Sequence, residues 1–167
     1  MSKSYWALDN GVTGTIAWIG DNSSGFIETP VKKEQSYTKA RNIITRIDAP
    51  KLKAYFEQVL EEHPGNVMAV MERPMISNFR FKASISAARS LESTLCVLES
   101  LGVSLLYVDS RQWQSVMLPK GTKGTPELKR ASMDIGCRLF PQHSELIKKH
   151  KDADALLIAE WARRTQL

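Results

Sequence analysis

Tyr5-Trp6-Ala7-Leu8-Asp9-Asn10-Gly11-Val12-Thr13-Gly14-Thr15-Ile16-Ala17-Trp18-Ile19 is the stretch that decides how this chain folds. Tyr5–Leu8 is apolar and strand-like, and it ends at an acid, Asp9. Asn10-Gly11 and Thr13-Gly14 are turn signals, so Thr15–Ile19 reads as a returning strand. A second turn, Asp21-Asn22-Ser23-Ser24-Gly25, leads into a short third strand, Phe26-Ile27-Glu28-Thr29, and Pro30 closes this β-meander. The stretch from Lys32 to Arg46 is polar, rich in Lys, Thr and Arg, and nothing in its pattern assigns it a role.

Beyond the meander, Pro50 opens a helix through Lys51–Leu60, with Leu52, Tyr55, Phe56, Val59 and Leu60 on one face. His63-Pro64-Gly65 ends it. Val67–Met71 is a continuous apolar run, the pattern of a strand covered on both faces, and it stops at Glu72. A loop through Asn78-Phe79-Arg80-Phe81 enters a long helix, about Ser84 to Leu101, closed by Gly102. Val103–Val108 reads as another buried strand. Trp113 follows, expected to pack on the sheet, then a Lys/Gly/Thr loop, a helix from about Pro126 to Phe140 and a last helix through Ala155–Ala159. This order predicts one α/β domain over residues 1–167: a mixed five-stranded sheet with helices on both faces. A right-handed crossover would lay Val67–Met71 parallel to Tyr5–Leu8, and so bring Asp9 and Glu72 together.

The 167 residues suffice for one such domain with a substantial core. At 43% hydrophobic and 25% charged, the chain has the composition of a soluble globular protein and not of a disordered tail. No apolar run approaches the roughly 20 residues that span a membrane, and Met1-Ser2-Lys3-Ser4-Tyr5-Trp6 has no secretory pattern. Cys96 and Cys137 lack metal-ligand spacing and sit in apolar, helix-like contexts, so both are expected as core thiols in a reducing cytoplasm. The formal charge of +5 favours a polyanionic partner only modestly. Its distribution says more. Lys120, Lys123, Lys129, Arg130, Arg138, Lys148, Lys149 and Lys151 outweigh Glu127, Asp134 and Glu145, which predicts a basic surface around that segment.

Chemistry is carried by acids. Asp9 and Glu72 each follow a buried strand, where open α/β sheets gather ligands. Either alone reads as an ordinary surface acid; two close together repel unless a cation neutralises them. His150-Lys151-Asp152-Ala153-Asp154 adds more at the head of the last helix. Helix capping would account for one of these acids without requiring both. At about 100° per residue, Asp152 and Asp154 would point apart on a regular helix, whereas His150 and Asp154 would share a face. Either Asp152 precedes the helix and folds back, or His150 supplies the fourth group. Such a set, without Cys, suits two Mg²⁺ or Mn²⁺ ions, with Asp9 bridging and Glu72 and Asp154 binding one each.

Three motifs resemble those of the RuvC-type Holliday-junction resolvases, members of the ribonuclease H-like superfamily. Leu8-Asp9-Asn10-Gly11-Val12-Thr13-Gly14-Thr15-Ile16-Ala17 is similar to the first motif, Met71-Glu72-Arg73-Pro74 to the second, and Asp152-Ala153-Asp154-Ala155-Leu156-Leu157-Ile158-Ala159 to the third. Glu160-Trp161-Ala162-Arg163-Arg164 is similar to phage-type members. The chain departs from the family at Lys151, where an acid or His is frequent, and at Asn10, where Pro is common. The resemblance implies a ribonuclease H-like fold and a Mg²⁺-dependent endodeoxyribonuclease. It also implies a homodimer that cuts opposed strands of a four-way junction in the cytoplasm (of the bacterial host, if phage-encoded). It implies an aromatic wedge after the second motif, a position matched by Phe79 and Phe81 with Arg80 and Lys82; packing of the Phe residues under the following helix is the alternative. Lys120 and Lys123, in Pro119-Lys120-Gly121-Thr122-Lys123-Gly124-Thr125, would contact phosphates, although either lysine alone reads as part of a solvated loop.

Two other readings use the same residues. Asp-x-Gly-x-Thr-Gly is also similar to the phosphate loop of actin-like ATPases and sugar kinases, but that architecture needs a second such domain. A non-catalytic branched-DNA-binding module on the same fold is the other, and the acids argue against it.

Overall fold

Burial explains the central strands. In the computed structural model, which describes residues 3–167, β1 (Lys3–Leu8) alternates in two directions. Tyr5 and Ala7 enter one core, and Trp6 and Leu8 enter the other. This is the two-residue period of a strand covered on both faces. β2 (Thr15–Ile19) and β3 (Ser24–Glu28) complete an antiparallel meander, and β6 (Asn66–Glu72) lies parallel to β1. The sheet order is β3-β2-β1-β6-β7, with β7 (Leu105–Val108) parallel to β6. Met1 and Ser2, which belong to the N-terminal stretch read above, lie outside the described residues.

One face is covered by α1 (Ala49–Glu62) and α2 (Phe81–Ser100), where Trp6 stacks on Phe56 at 4.6 Å between centroids. The other face carries α6 (Asp154–Thr165), flanked by α3 (Ser110–Met117), α4 (Thr125–Leu139) and α5 (Ser144–His150). Every residue of α6 from Ala155 to Ala162 is buried, so this helix is enclosed rather than laid on the surface. Each large side chain buried in these layers contributes about 1.5–3 kcal/mol.

Several expectations need correction. The polar Lys32–Arg46 stretch forms a hairpin, β4 (Val31–Gln35) and β5 (Ile43–Ile47), a separate two-stranded sheet. The strand expected over Val103–Val108 is shorter and lies at the sheet's edge, where only Val108 is buried. Cys96 is exposed and Cys137 half-buried: α2 turns Ser90, Thr94, Val97 and Leu98 inward and leaves Cys96 outside. The helices α3 and α5 are too short to show a clear period in sequence. Among the described residues, no helix is long and apolar enough to cross a membrane.

Two glycines permit approaches that position the acids. A Cβ on Gly14 would lie 2.0 Å from the Asp9 carbonyl oxygen, so the turn after β1 closes only around glycine. A Cβ on Gly136 would lie 2.3 Å from that of Ala153, the residue between Asp152 and Asp154. Gly136→Ala would gain about 1 kcal/mol of helix propensity, yet overpacking against a buried methyl costs about 1–3 kcal/mol. A net loss is expected, read as a fall of a few degrees in Tm by calorimetry; an unchanged or higher Tm would show that α4 and the head of α6 separate freely.

Candidate active site

The register β1–β6 pairs Leu8 with Met71, so Asp9 and Glu72 stand side by side at the ends of adjacent parallel strands. Together with Asn10, Arg73 and Asp109 they line a cleft of about 230 Å³. Asp9 also borders a second cavity, about 550 Å³, with Asp152, Asp154, His150, Lys129 and Lys149 around it. The three acids from distant parts of the chain therefore meet at one edge of the sheet, with Asp9 facing both hollows.

The segment before α6 differs from a regular helix. Lys151 adopts a left-handed backbone (φ 64°), which ends α5 and breaks the helical path between His150 and Asp154. The shared-face argument for His150 therefore does not apply. Asp152 precedes α6, as one of the two alternatives required, and Ala153 occupies the cap position. The cap residue, Ala153, makes no side-chain capping bond, while Asp154 stands in the first turn of α6, where negative charge suits the helix N-terminus; Asp152, before the helix, has no such role. His150 borders the cavity, but its Nε2 stands 2.9 Å from Glu28 Oε1.

Two donors hold the carboxylates. Trp113 Nε1 donates to Glu72 Oε2 at 2.7 Å from a fully buried ring. Ser132 Oγ donates to Asp154 Oδ1 at 2.5 Å and accepts from Ala153 N at 3.0 Å, clamping the acid-Ala-acid segment onto α4. Neither role was read from the sequence, nor was that of Lys129, one turn before Ser132. A polar residue on the apolar face formed by Leu128, Ala131 and Ile135 is the signal that would have found Ser132. The indole of Trp113 carries no comparable signal.

Charge is concentrated here. Burial, then repulsion from Asp154, Asp152 and Glu72, pushes the Asp9 carboxyl up to about 7, and Lys129 partly offsets this. Burial likewise raises Asp154 to about 6, with Asp152 and Glu72 adding to the shift and the Ser132 bond and Lys129 opposing it. Burial raises Glu72 also, against the bond from Trp113. Asp152 Oδ1 is buried without a hydrogen-bond partner. Among the described residues, no three His, Cys, Asp or Glu side chains stand as they are in an arrangement that could hold a metal ion; Glu72 and Asp154 are bonded instead to Trp113 and Ser132. An orphaned carboxylate oxygen among four mutually repelling acids fits a hard divalent cation, which all-oxygen donor sets suit.

The other expected residues lie outside these hollows. Phe79 is 100% and Phe81 70% exposed, on a short 3₁₀ turn (Asn78–Arg80) and the first residue of α2, so neither packs under that helix. Arg80 and Lys82 beside them are exposed as well. Lys120 and Lys123 are exposed on the loop between α3 and α4, and neither borders the carboxylate cavities.

Two solved structures share the architecture. Thermus thermophilus RuvC in complex with a Holliday junction substrate matches with a TM-score of 0.57 at 14% identity, over 96% of this chain and 92% of that one. A further Thermus thermophilus RuvC structure matches with a TM-score of 0.51 at 14% identity, over 98% and 96%. The chain thus has a RuvC-type, ribonuclease H-like α/β fold, as its motifs led one to expect. No protein-family model and no curated protein sequence matches it.

The raised acids set a pH dependence. Asp9 and Asp154 retain protons in the folded state that the unfolded chain releases above its ordinary value of 3.8. Stability in chelator should therefore fall as pH rises through about 4 to 7. His143, which burial lowers, contributes in the opposite direction. Asp9→Asn isolates the effect: the fall in Tm from pH 5 to pH 8 should be smaller in the variant, and an identical fall in both proteins would contradict the assignment.

Proposed function

We propose that this chain is a divalent-metal-dependent endodeoxyribonuclease that cuts branched DNA, four-way junctions in particular, as a homodimer. The observation that supports this most is the meeting of Asp9, Glu72, Asp152 and Asp154 at one sheet edge of a RuvC-type fold. Asp9, Glu72, Asp154 and Asp152 would hold two Mg²⁺ or Mn²⁺ ions, with His150 at the margin. Bound there, such ions supply an activated water and neutralise charge on the leaving oxygen of a phosphodiester.

The chain's own residues prepare that chemistry. Trp113 aims Glu72, and Ser132 aims Asp154. Lys129 opposes proton uptake by Asp9 and Asp154 and offers a cation to an arriving phosphate. Phe79 and Phe81 present bare aromatic faces to unpaired bases, each stack being worth about 1–3 kcal/mol. Arg80, Lys82, Lys120 and Lys123 would contact phosphates around the branch. Cutting two opposed strands calls for two sites related by a two-fold axis. Both cysteines are free thiols, in keeping with a reducing cytoplasm.

A synthetic four-way junction, assayed in Mg²⁺ and in EDTA beside linear duplex and RNA–DNA hybrid, tests the reading. Asp9→Asn or Glu72→Gln should reduce cleavage to the EDTA background while junction binding persists; turnover by either variant would refute the metal assignment. Replacing Lys120 and Lys123 together by Ala should weaken junction binding and reduce the slope of log affinity against log salt by about 2. An unchanged slope would remove both lysines from the interface.

A further inference from the structure

The hairpin of β4 and β5 is unlike the rest of the molecule. Five cations, Lys32, Lys33, Lys39, Arg41 and Arg46, stand against a single acid, Glu34, between residues 32 and 46. Glu34 is taken up by Lys32 at 3.4 Å and by Arg46 across the strands. Lys33, Lys39 and Arg41 are exposed, and none of them forms an ion pair among the described residues. Little of the ribbon serves the core: Ile47 at its base is buried, whereas Ile43 is exposed and Tyr37 at the tip is 86% exposed.

Its base is placed with care. β3 runs in the same direction as β1, so the chain leaves the sheet for the hairpin at the edge that carries Asp9. Thr29 N donates to Gly14 O at 3.0 Å, and Asp48 N to Pro30 O at 2.9 Å, tying down both legs. Thr29 and Val31 are themselves walls of the cavity that holds Asp9, Asp152 and Asp154.

Hydrogen bonds close the tip. Ser36 N donates to Asn42 O at 2.7 Å, Thr38 N to Ser36 Oγ at 3.0 Å, and Arg41 N to Thr38 O at 3.0 Å. Within this turn Arg41 adopts φ 49°, a left-handed conformation that favours Gly or Asn. Beyond packing at its base, the ribbon carries three exposed cations that form no ion pair among the described residues, and its base borders the carboxylate cavity.

We infer that the β4–β5 hairpin is a DNA-gripping arm, lying along the duplex that leads into the carboxylate cavity and neutralising its phosphates with Lys33, Lys39 and Arg41. The inference rests on the nuclease reading and adds to it the surface that directs one arm of the branch. Five strand residues at about 3.3 Å each reach about 17 Å, or about five base-pair steps. A two-stranded ribbon also has the width that a major groove admits.

The test is equilibrium binding of a fluorescein-labelled four-way junction in EDTA, so that cutting plays no part, over a range of salt concentrations. The combined variant Lys33→Ser, Lys39→Ser, Arg41→Ser changes only exposed side chains. It should bind at least about tenfold more weakly at moderate salt, with a salt slope shallower by about 2–3. In the unaltered protein, amine-reactive labelling of Lys33 and Lys39 should be suppressed when junction is bound. Equal affinity and slope in variant and wild type, or equal labelling with and without DNA, would overturn the arm while leaving the nuclease reading intact. Failure of the wild-type protein to bind the junction at low salt would overturn both.

Discussion

The parallel pairing of β1 with β6 is the constraint on which the rest depends. Neither strand is acidic along its length, and each is driven inward by apolar residues on both faces; the acids stand only where the cores end. Because Leu8 lies opposite Met71, two independent runs of hydrophobic burial deliver Asp9 and Glu72 to the same place. A slip of one residue would turn Trp6 and Leu8 from one core into the other, so side-chain packing polices the register of the carboxylates.

That arrangement works against stability. Carboxylates set at the rim of a low-dielectric core hold one another's protons, Asp9 up to about 7. The fold compensates only partly, through one indole, one hydroxyl and the nearby Lys129, and leaves an oxygen of Asp152 without a hydrogen-bond partner. Surplus negative potential of this kind is expected where function, not folding, has chosen the residues. Enclosure of α6 is what makes the surplus tolerable, since its buried length from Ala155 to Ala162 anchors Asp154 from behind.

Much of this was legible in the sequence because continuous apolar runs signal buried strands whatever surrounds them. Tyr5–Leu8, Thr15–Ile19 and Val67–Met71 declared themselves, and with them the edge on which Asp9 and Glu72 stand. The hairpin over Val31–Ile47 did not, since it is polar or exposed on both faces for most of its length and so lacks the alternation of a half-buried ribbon. His150 was weighed as a ligand on the assumption of helix running into Asp154; a lysine at left-handed φ, which nothing in its side chain announces, breaks that helix. Trp113 and Ser132 act through neighbours 41 and 22 residues away, and no local pattern reports such meetings.

The tight contact between Gly136 and Ala153 bears on how this protein can evolve. Inside a helix, glycine is ordinarily displaced by alanine under mutation and drift, because alanine orders the backbone at less entropic cost. In α4 that improvement would thrust a methyl group at the residue between two acids. Helix stability and the placement of those acids thus select in opposite directions at one position. Among descendants of this chain, the residue at position 136 should track whether the acids are still in use, persisting as glycine while they are and relaxing once they are lost.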